Sequence, residues 1–303
     1  MVDESKQKRQ FEKDGFLIIR DFFIRAEVED LLKVAGRWED YLAEPKCISS
    51  YAGSESIFSN TRLHSLVKNL IGDEPIYFGD GNITPNVEQY KYTEGDGMLH
   101  KDCIDRNDYT KPDWQSRYTS IRLGIYTNDH SDCGGGIAFR RGTHKKPLIQ
   151  DKFYRRKPLI YLTDFLEMIF GKTVYANVKP GDLVIWKLTT DHAGNASCFR
   201  FLKNRAITKF TNFIPKIFRK PQLTGLRVAM FVSFGANDNH LDRCISGQKK
   251  RIYQVESWLA SKYENSAVNG HLGVFKLRDV GSELRDMEPD ELKRSLTTNW
   301  QPG

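Results

Sequence analysis

The sequence predicts a mainly β protein with flanking helices, arranged as a β-sandwich or barrel. The main observation is a stretch from about Ile76 to Gly235 in which short apolar runs are separated by Gly, Asp, Asn and Pro. Such runs are typical of strands joined by turns. The predicted strands cover residues 87–92, 120–127, 136–139, 182–186 and 227–234. Because many short strands follow one another, the pattern favours a sandwich or barrel over a parallel α/β sheet.

The chain ahead of this region predicts one strand and one helix. Residues 11–20 contain a short lead-in, the turn residues Asp14 and Gly15, and a four-residue apolar run typical of a buried strand. Residues 25–41 place apolar side chains on one stripe, which predicts an amphipathic helix. We therefore expect residues 11–45 to form an N-terminal strand–helix unit in front of the core.

Two segments of the β region have the character of insertions, residues 148–172 and residues 199–222. The first predicts a helix around residues 162–170. The second interleaves phenylalanines with seven Lys and Arg residues and contains no Asp or Glu. Its cations are Arg200, Lys203, Arg205, Lys209, Lys216, Arg219 and Lys220. We expect this segment either to overhang the functional site as a lid or to pack its phenylalanines on the core.

The C-terminal tail, residues 249–303, is predicted to be helical and polar. Candidate helices cover residues 250–263 and 288–296, and the second has acidic residues in its first turn. No linker long enough to separate a second domain interrupts the sequence. We expect residues 1–303 to form a single domain whose core spans about 76–235.

Composition excludes several classes of protein. The chain has 303 residues, 46 Lys and Arg against 39 Asp and Glu, and 12% aromatic residues. It is therefore too apolar and aromatic for a disordered protein, and it has no solenoid repeat. The N-terminus is polar and lacks the apolar core of a secretory signal, and the most apolar stretch is too short to span a bilayer. With five widely spaced cysteines and no zinc or redox spacing, we expect a cytoplasmic protein with reduced thiols.

A His-x-Asp motif supplies the first candidate metal ligands. On a strand, His100 and Asp102 point to the same face, while Lys101 points away. A third candidate, His192, follows the predicted strand GDLVIW about ninety residues later. Two histidines and one carboxylate, with the remaining positions open, form the facial triad of non-haem Fe(II) oxygenases.

The sequence around these residues resembles the phytanoyl-CoA dioxygenase-like family of Fe(II)/2-oxoglutarate-dependent oxygenases. The resemblance covers residues 11–235 in order and is carried by FEKDGFLIIRDFF, LHKD, GGGIAFRRGTHK, KPGDLVIW and LRVAMFVSFG. It implies a double-stranded β-helix core, the jelly roll of cupin-like proteins. It also implies that His100, Asp102 and His192 hold Fe(II), and that 2-oxoglutarate is decarboxylated to succinate while O2 hydroxylates a substrate C–H bond.

The distal carboxylate of 2-oxoglutarate needs a cation, and arginine suits it because its planar fork pairs with a carboxylate in bidentate fashion. In the family that this chain resembles, this arginine opens the last core strand. Arg227 fits that position, with residues 199–222 inserted before it, whereas Arg200 and Arg205 lie closer to His192 in sequence but in no clear strand. Tyr126 and Tyr92 are candidates for hydroxyl contacts to the same co-substrate, or they are ordinary core tyrosines.

Two further residues bear on the reaction. Asp102 provides a carboxylate where related halogenases have a small residue, which counts against halogenation. Nucleic-acid demethylases of the superfamily carry a second arginine six residues after the co-substrate arginine. Here that position is Ser233, so nucleic acid is not the expected partner. We therefore expect a hydroxylase, and the sequence does not distinguish hydroxylation from desaturation or ring closure.

We expect the substrate to be a small metabolite, anionic or conjugated if residues 199–222 overhang the iron. Two alternatives stay open. One is a protein or peptide hydroxylase of the prolyl type, because KYTEGDGMLHKD is similar to those sequences. The other is a non-catalytic jelly-roll module that binds an anionic polymer or makes peripheral contact with a membrane through its basic insertion. The sequence does not predict an oligomeric state.

Overall fold

The computed structural model describes most of the region that the sequence assigns to the core. The described residues are 4–86, 99–102, 118–145, 157–202, 205–207, 214–221, 225–249, 251–261, 263 and 271–287. The predicted strand at 87–92 and the predicted helix at 288–296 lie outside these ranges, as do Tyr92 and Cys103.

The strands of the described residues form two sheets. Numbered in chain order, they are β1 (Phe16–Ile19), β2 (Ile76–Asn86), β3 (Ile121–Tyr126), β4 (Gly136–Arg140), β5 (Thr173–Tyr175), β6 (Leu183–Lys187), β7 (His192–Cys198), β8 (Ala206–Ile207), β9 (Arg227–Gly235), β10 (His271–Leu272) and β11 (Phe275–Leu277). A seven-stranded sheet has the order β1-β6-β3-β9-β2-β11-β10, and a four-stranded sheet has the order β5-β4-β7-β8. All pairs are antiparallel except β11 with β2.

The chain crosses repeatedly between the two sheets, and this makes the jelly roll. It runs from β3 in the larger sheet to β4 and β5 in the smaller, back to β6, across to β7 and β8, and back to β9. Aromatic and aliphatic side chains of both sheets meet in one cluster, with Phe16 stacked on Phe139 at 4.6 Å and Trp186 beside them. The predicted double-stranded β-helix is thus confirmed.

The described α-helices are α1 (Glu4–Asp14), α2 (Arg25–Gly36), α3 (Trp38–Ala43), α4 (Glu55–Phe58), α5 (Thr61–Ile71), α6 (Lys157–Ile169), α7 (Asn239–Gln248), α8 (Ile252–Ala260) and α9 (Val280–Arg285). All of them except α6 contribute side chains to the cluster on the outer face of the seven-stranded sheet. Strand side chains such as Leu123 and Val232 pack with helix side chains such as Val34, Val67 and Trp258 in the largest cluster. The alternation along each strand therefore separates a helix-covered face from an inter-sheet face.

Three expectations about the flanking segments need correction. The single helix predicted at 25–41 is two helices, because α2 ends at Gly36, a poor helix former, and α3 begins at Trp38. The short lead-in before β1 is the helix α1. The tail predicted to be wholly helical contains β10 and β11, because the buried Phe275 anchors β11 beside β2.

The two insertions pack together beside the four-stranded sheet. Arg140 of β4 forms an ion pair with Glu167 of α6 at 2.6 Å. Met168 of α6 packs with Ile207 and Ile214 of the second insertion. These contacts join α6 to the described part of residues 199–222. Among the described residues, none of the helices has the length and apolarity needed to cross a membrane.

Candidate metal centre

Two imidazoles and one carboxylate meet at one end of the space between the sheets. His192 opens β7, and His100 forms a single antiparallel bridge with it through hydrogen bonds of 2.9 and 3.0 Å between their backbones. Asp102 is tied to the same segment because its backbone N–H donates to the Leu188 carbonyl at 3.0 Å. As a result, one ligand atom from each of His100, Asp102 and His192 lies within 4.8 Å of the other two. We call this region the metal end.

The tautomer of His192 is set by the backbone. Its Nδ1 lies 3.0 Å from the carbonyl of Thr190, which accepts but cannot donate, so Nδ1 carries the proton. Its Nε2 faces the Asp102 carboxylate, 3.3 Å away, and is the ring nitrogen on the side where a metal would bind. A histidine whose other ring nitrogen donates to a carbonyl is the usual form of a metal ligand. His192 is buried, whereas the His100 side chain is 53% exposed and lies at the rim of the site.

Asp102 is held by two donors that the sequence did not identify. The Arg122 guanidinium lies 3.2 Å from Asp102 Oδ2, and the Trp186 indole donates to the same oxygen at 3.3 Å. Burial alone would raise the pKa of Asp102, but Arg122 and then His192 outweigh it and hold this pKa well below its usual range. Asp102 is therefore ionised at neutral pH, as a metal ligand would have to be.

Arg122 is itself fixed by the neighbouring strands. Its Nη2 pairs with both carboxylate oxygens of Asp80 on β2, at 2.9 and 3.1 Å, and its Nε donates to Ser233 Oγ on β9 at 3.0 Å. Ser233 faces Arg122 directly in the register of β3 and β9. One signal in the sequence could have indicated this role: Arg122 is a charged residue on a strand whose other face is wholly apolar.

Lys101 lies behind the ligands, as the alternation predicted. Its Nζ is buried and contacts Asp191 Oδ1 at 2.7 Å, the Thr143 carbonyl at 2.9 Å and the Thr189 carbonyl at 2.5 Å. Lys101 stands between His100 and Asp102, and Asp191 immediately precedes His192. The buried pair therefore ties together the two chain segments that carry the three candidate ligands.

Three polar residues occur at the opposite end of the inter-sheet space, which we call the arginine end. Tyr126 lies on the same face of β3 as Arg122, four residues further along, or about 13 Å. Arg227 opens β9 and shares its face with Ala229 and Phe231, which pack in the inter-sheet cluster. His130 is buried with its ring edge against Tyr126, at 5.7 Å between ring centroids.

Burial dominates the electrostatics of the arginine end. It lowers the pKa of Arg227, with Tyr175 and Cys133 acting weakly in the opposite direction. It lowers the pKa of His130 to about 4, and the positive charge of Arg227 adds to that shift. Burial also raises the pKa of Tyr126 well above its usual range, so its hydroxyl stays protonated.

The other candidate residues have different surroundings. Arg200 is exposed, and the Arg205 guanidinium lies against the backbone of Gly171, just after α6. His144 is buried near α1, with its Nε2 3.1 Å from the Glu12 carbonyl. Tyr92 lies outside the described residues.

The residues at the metal end fit a divalent iron ion. Two imidazole nitrogens and one carboxylate are the donor set of the facial triad, and the compact grouping leaves the exposed side at His100 for further ligands. Donors behind the set orient each member: the Thr190 carbonyl orients His192, while Arg122 and Trp186 orient Asp102. Hydrogen-bond partners that orient the ligands in this way are characteristic of metal-binding sites in proteins.

Several solved structures are similar to this chain. EctD from S. alaskensis, in a structure with 2-oxoglutarate and 5-hydroxyectoine, is 15% identical, with 77% of this chain and 76% of that chain covered and a TM-score of 0.48. SnoN, a non-haem α-ketoglutarate-dependent epimerase from nogalamycin biosynthesis, is 13% identical over 77% of this chain and 80% of that chain, with a TM-score of 0.48. ThoJ, a non-haem monooxygenase in complex with Ni, is 15% identical over 76% and 77%, also at 0.48.

No protein-family model matches the chain, and comparison with curated proteins finds no match either. The structural likenesses are remote, at identities of 13–15% and a TM-score of 0.48. The chemistry of this chain is therefore to be inferred from its own residues.

Proposed function

We propose that this protein is an Fe(II)- and 2-oxoglutarate-dependent dioxygenase that hydroxylates a C–H bond of a small metabolite. The observation that carries the proposal is the metal end itself, where His100, Asp102 and His192 present three ligand atoms of the right kinds within 4.8 Å. Bound iron supplies the oxidising chemistry that couples decarboxylation of 2-oxoglutarate to succinate with hydroxylation by O2. The role of the protein is to hold the iron by three ligands and leave the other positions to the co-substrate and O2.

Arg227 is the proposed anchor for the distal carboxylate of 2-oxoglutarate. It opens β9 on the inter-sheet face, six residues before Ser233, which contacts the arginine that holds Asp102. A carboxylate bound against a partly buried guanidinium offsets the cost of its desolvation and accepts two parallel hydrogen bonds. Tyr126, whose hydroxyl stays protonated, is positioned on the neighbouring strand to donate a further hydrogen bond, and Tyr92 remains a sequence-based candidate for the same role.

The proposed substrate class rests on the amino-acid sequence and not on the geometry of the metal end. An anionic substrate is proposed because residues 199–222 contain seven Lys and Arg and no Asp or Glu, which would attract an anion if this segment overhangs the iron. A substrate screen should begin with small anionic and conjugated metabolites, the class that the sequence indicated, and continue with proline-containing peptides. The readout is substrate-stimulated succinate formation, and stimulation by peptides alone would favour the protein-hydroxylase alternative.

The test of the activity is succinate formation from 2-oxoglutarate by the purified protein with Fe(II) and O2, even without substrate. We expect turnover in the wild type, and in the anaerobic protein a visible charge-transfer band once Fe(II) and 2-oxoglutarate are both present. His100→Ala should abolish both signals without unfolding the protein, because His100 is largely exposed. His271→Ala, another exposed histidine, is the matched control and should leave both unchanged.

The outcome that contradicts the proposal is complete absence of succinate formation by a protein shown to bind iron. That result would favour the non-catalytic jelly-roll module. An unchanged charge-transfer band in His100→Ala would instead show that the iron is held elsewhere.

A further inference from the structure

Helix α6 carries apolar side chains on two opposite sides. On its inner side Phe165 and Met168 pack against the second insertion. On its outer side Leu162, Leu166 and Ile169 are exposed at helical spacing, and Phe170, immediately after the helix, is 74% exposed. Positions i, i+4, i+7 and i+8 form one stripe, of the kind that an amphipathic helix normally buries against a partner.

The second insertion extends this apolar surface. Phe201 and Ile217 are 70% and 67% exposed, and Leu202 and Phe218 are also exposed. Phe201 and Phe218 lie beside each other, with ring centroids 6.5 Å apart. Arg205 joins the two parts, because its guanidinium abuts Gly171 beside Phe170 and its backbone N–H donates to the Leu202 carbonyl at 3.2 Å. We call the eight exposed side chains the insert surface.

The charge around the insert surface is positive. Residues 199–222 contain seven Lys and Arg and no Asp or Glu, which equals the whole net charge of +7. Arg200 and Lys216 are exposed within this segment, and Lys172 is exposed just after α6. Helix α6 itself has two acidic residues, Asp164 and Glu167, and Glu167 is neutralised by its ion pair with Arg140 at 2.6 Å.

We propose that the insert surface docks the protein on a membrane whose surface is rich in anionic lipid. Exposed Leu, Ile and Phe side chains enter the boundary between headgroups and acyl chains, and surrounding Lys and Arg side chains attract the anionic headgroups. Contiguous apolar surface of this size is unusual on a protein that works alone in water. An anionic bilayer surface complements both features, because its acyl chains accept apolar side chains and its headgroups attract cations.

Two other occupants fit the insert surface less well. Single-stranded nucleic acid would use the cations and stack on phenylalanines, but five of the eight exposed side chains are leucine or isoleucine, which offer no stacking face. A second copy of the chain, paired through the same surface, would place the cationic segments against one another. Both are outcomes that the experiment distinguishes.

The insert surface shares no residue with the candidate metal centre. None of its eight side chains is a candidate ligand, and none is among the residues that orient the ligands. We therefore expect membrane binding to be independent of iron and of 2-oxoglutarate turnover, so that the two proposals fail separately.

The experiment is sedimentation of the full-length protein with phosphatidylcholine vesicles, with and without phosphatidylserine. We expect binding to the anionic vesicles that weakens as salt is raised. Phe170→Ser combined with Phe201→Ser should reduce the partition coefficient by about tenfold or more, because two exposed apolar side chains no longer enter the bilayer. Arg200→Ala and Lys216→Ala should each reduce it by about fivefold.

The matched control is Ile252→Ser, which removes an equally exposed side chain (64%) from α8, on the seven-stranded sheet side. It should bind vesicles like the wild type, and all variants should keep wild-type succinate formation and thermal stability. Absence of binding to anionic vesicles, or equal loss in the control, would overturn the proposal. So would salt-sensitive binding of a DNA or RNA oligonucleotide in place of vesicles, or a wild-type dimer in sedimentation equilibrium that the double Phe variant abolishes.

Discussion

The two ends of the inter-sheet space differ in how their buried charged groups are stabilised. At the metal end, opposite charges already face each other: Arg122 lies between Asp80 and Asp102, and Lys101 lies against Asp191. At the arginine end, burial lowers the pKa of both Arg227 and His130, so the environment there disfavours positive charge. The metal end is thus arranged by the protein before any ligand binds, whereas the arginine end gains most when an anion arrives.

This difference predicts that substitutions at the metal end mainly lower the free energy of unfolding, whereas substitutions at the arginine end mainly lower the affinity for a bound anion. Removing one member of a buried ion pair leaves its partner buried and uncompensated, which destabilises the fold. Burial disfavours the positive charge of Arg227, so the removal of this partly buried cation should lower the free energy of unfolding only slightly. Its loss should appear instead in the binding of the anion that it recognises.

The largest expected effect is on the stability of the metal end. Arg122→Met leaves the buried carboxylates of Asp80 and Asp102 facing each other without a cation, so the free energy of unfolding should fall by about 3–5 kcal/mol. Urea denaturation of the iron-free protein measures this directly. Arg227→Met is the matched control, and its loss should stay below about 1 kcal/mol. Equal losses in the two variants would remove the distinction between the ends.

The next effect concerns co-substrate binding at the arginine end. Arg227→Met should raise the KM for 2-oxoglutarate by about 10–100-fold, because a charge-assisted bidentate pair is lost. Iron affinity, measured in the absence of 2-oxoglutarate, should be unchanged, and Arg227→Lys should recover part of the loss. Arg200→Ala and Arg205→Ala are the controls, and a larger rise in KM in either of them would move the anchor to the second insertion.

Sequence periodicity predicted the faces of the strands but not the partners that meet across them. The alternation of His100, Lys101 and Asp102 correctly assigned Lys101 to the opposite side, because that rule is local. Its partner Asp191 and the contact of Arg122 with Asp80 join residues about 90 and 42 positions apart. Those pairings depend on sheet order and register, which local spacing does not encode.

The position of the second insertion shows the same limit. Its composition predicted a basic, aromatic segment, and this composition suits a lid over the iron as well as an outer surface. The contacts of Met168 with Ile207 and Ile214 show that the two insertions pack on each other. Neither composition nor periodicity predicted that contact, because it joins segments about 40 residues apart.

The smallest effect is the acid sensitivity of the arginine end. The pKa of His130 is about 4 in the folded protein because burial, with help from Arg227, disfavours its charged form, whereas the unfolded value is near 6.5. Between these values the unfolded state binds the proton and the folded state does not. Stability is therefore full above about pH 6.5 and is lost as the pH falls towards 4. Asp102 adds to this loss only near the lower end of the window, below about pH 5, where its unfolded form begins to bind a proton that the folded form does not.

His130→Gln should flatten this pH dependence by up to one proton, a slope of about 1.4 kcal/mol per pH unit. The free energy of unfolding, measured by urea denaturation at several pH values between 4 and 7, gives the slope for each variant. His144, whose pKa burial also lowers to about 4, acts in the same direction from its site beside α1, so His144→Gln provides the comparison. If only His144→Gln flattens the curve, the acid-sensitive group lies at the α1 contact, and the arginine end tolerates a charged His130.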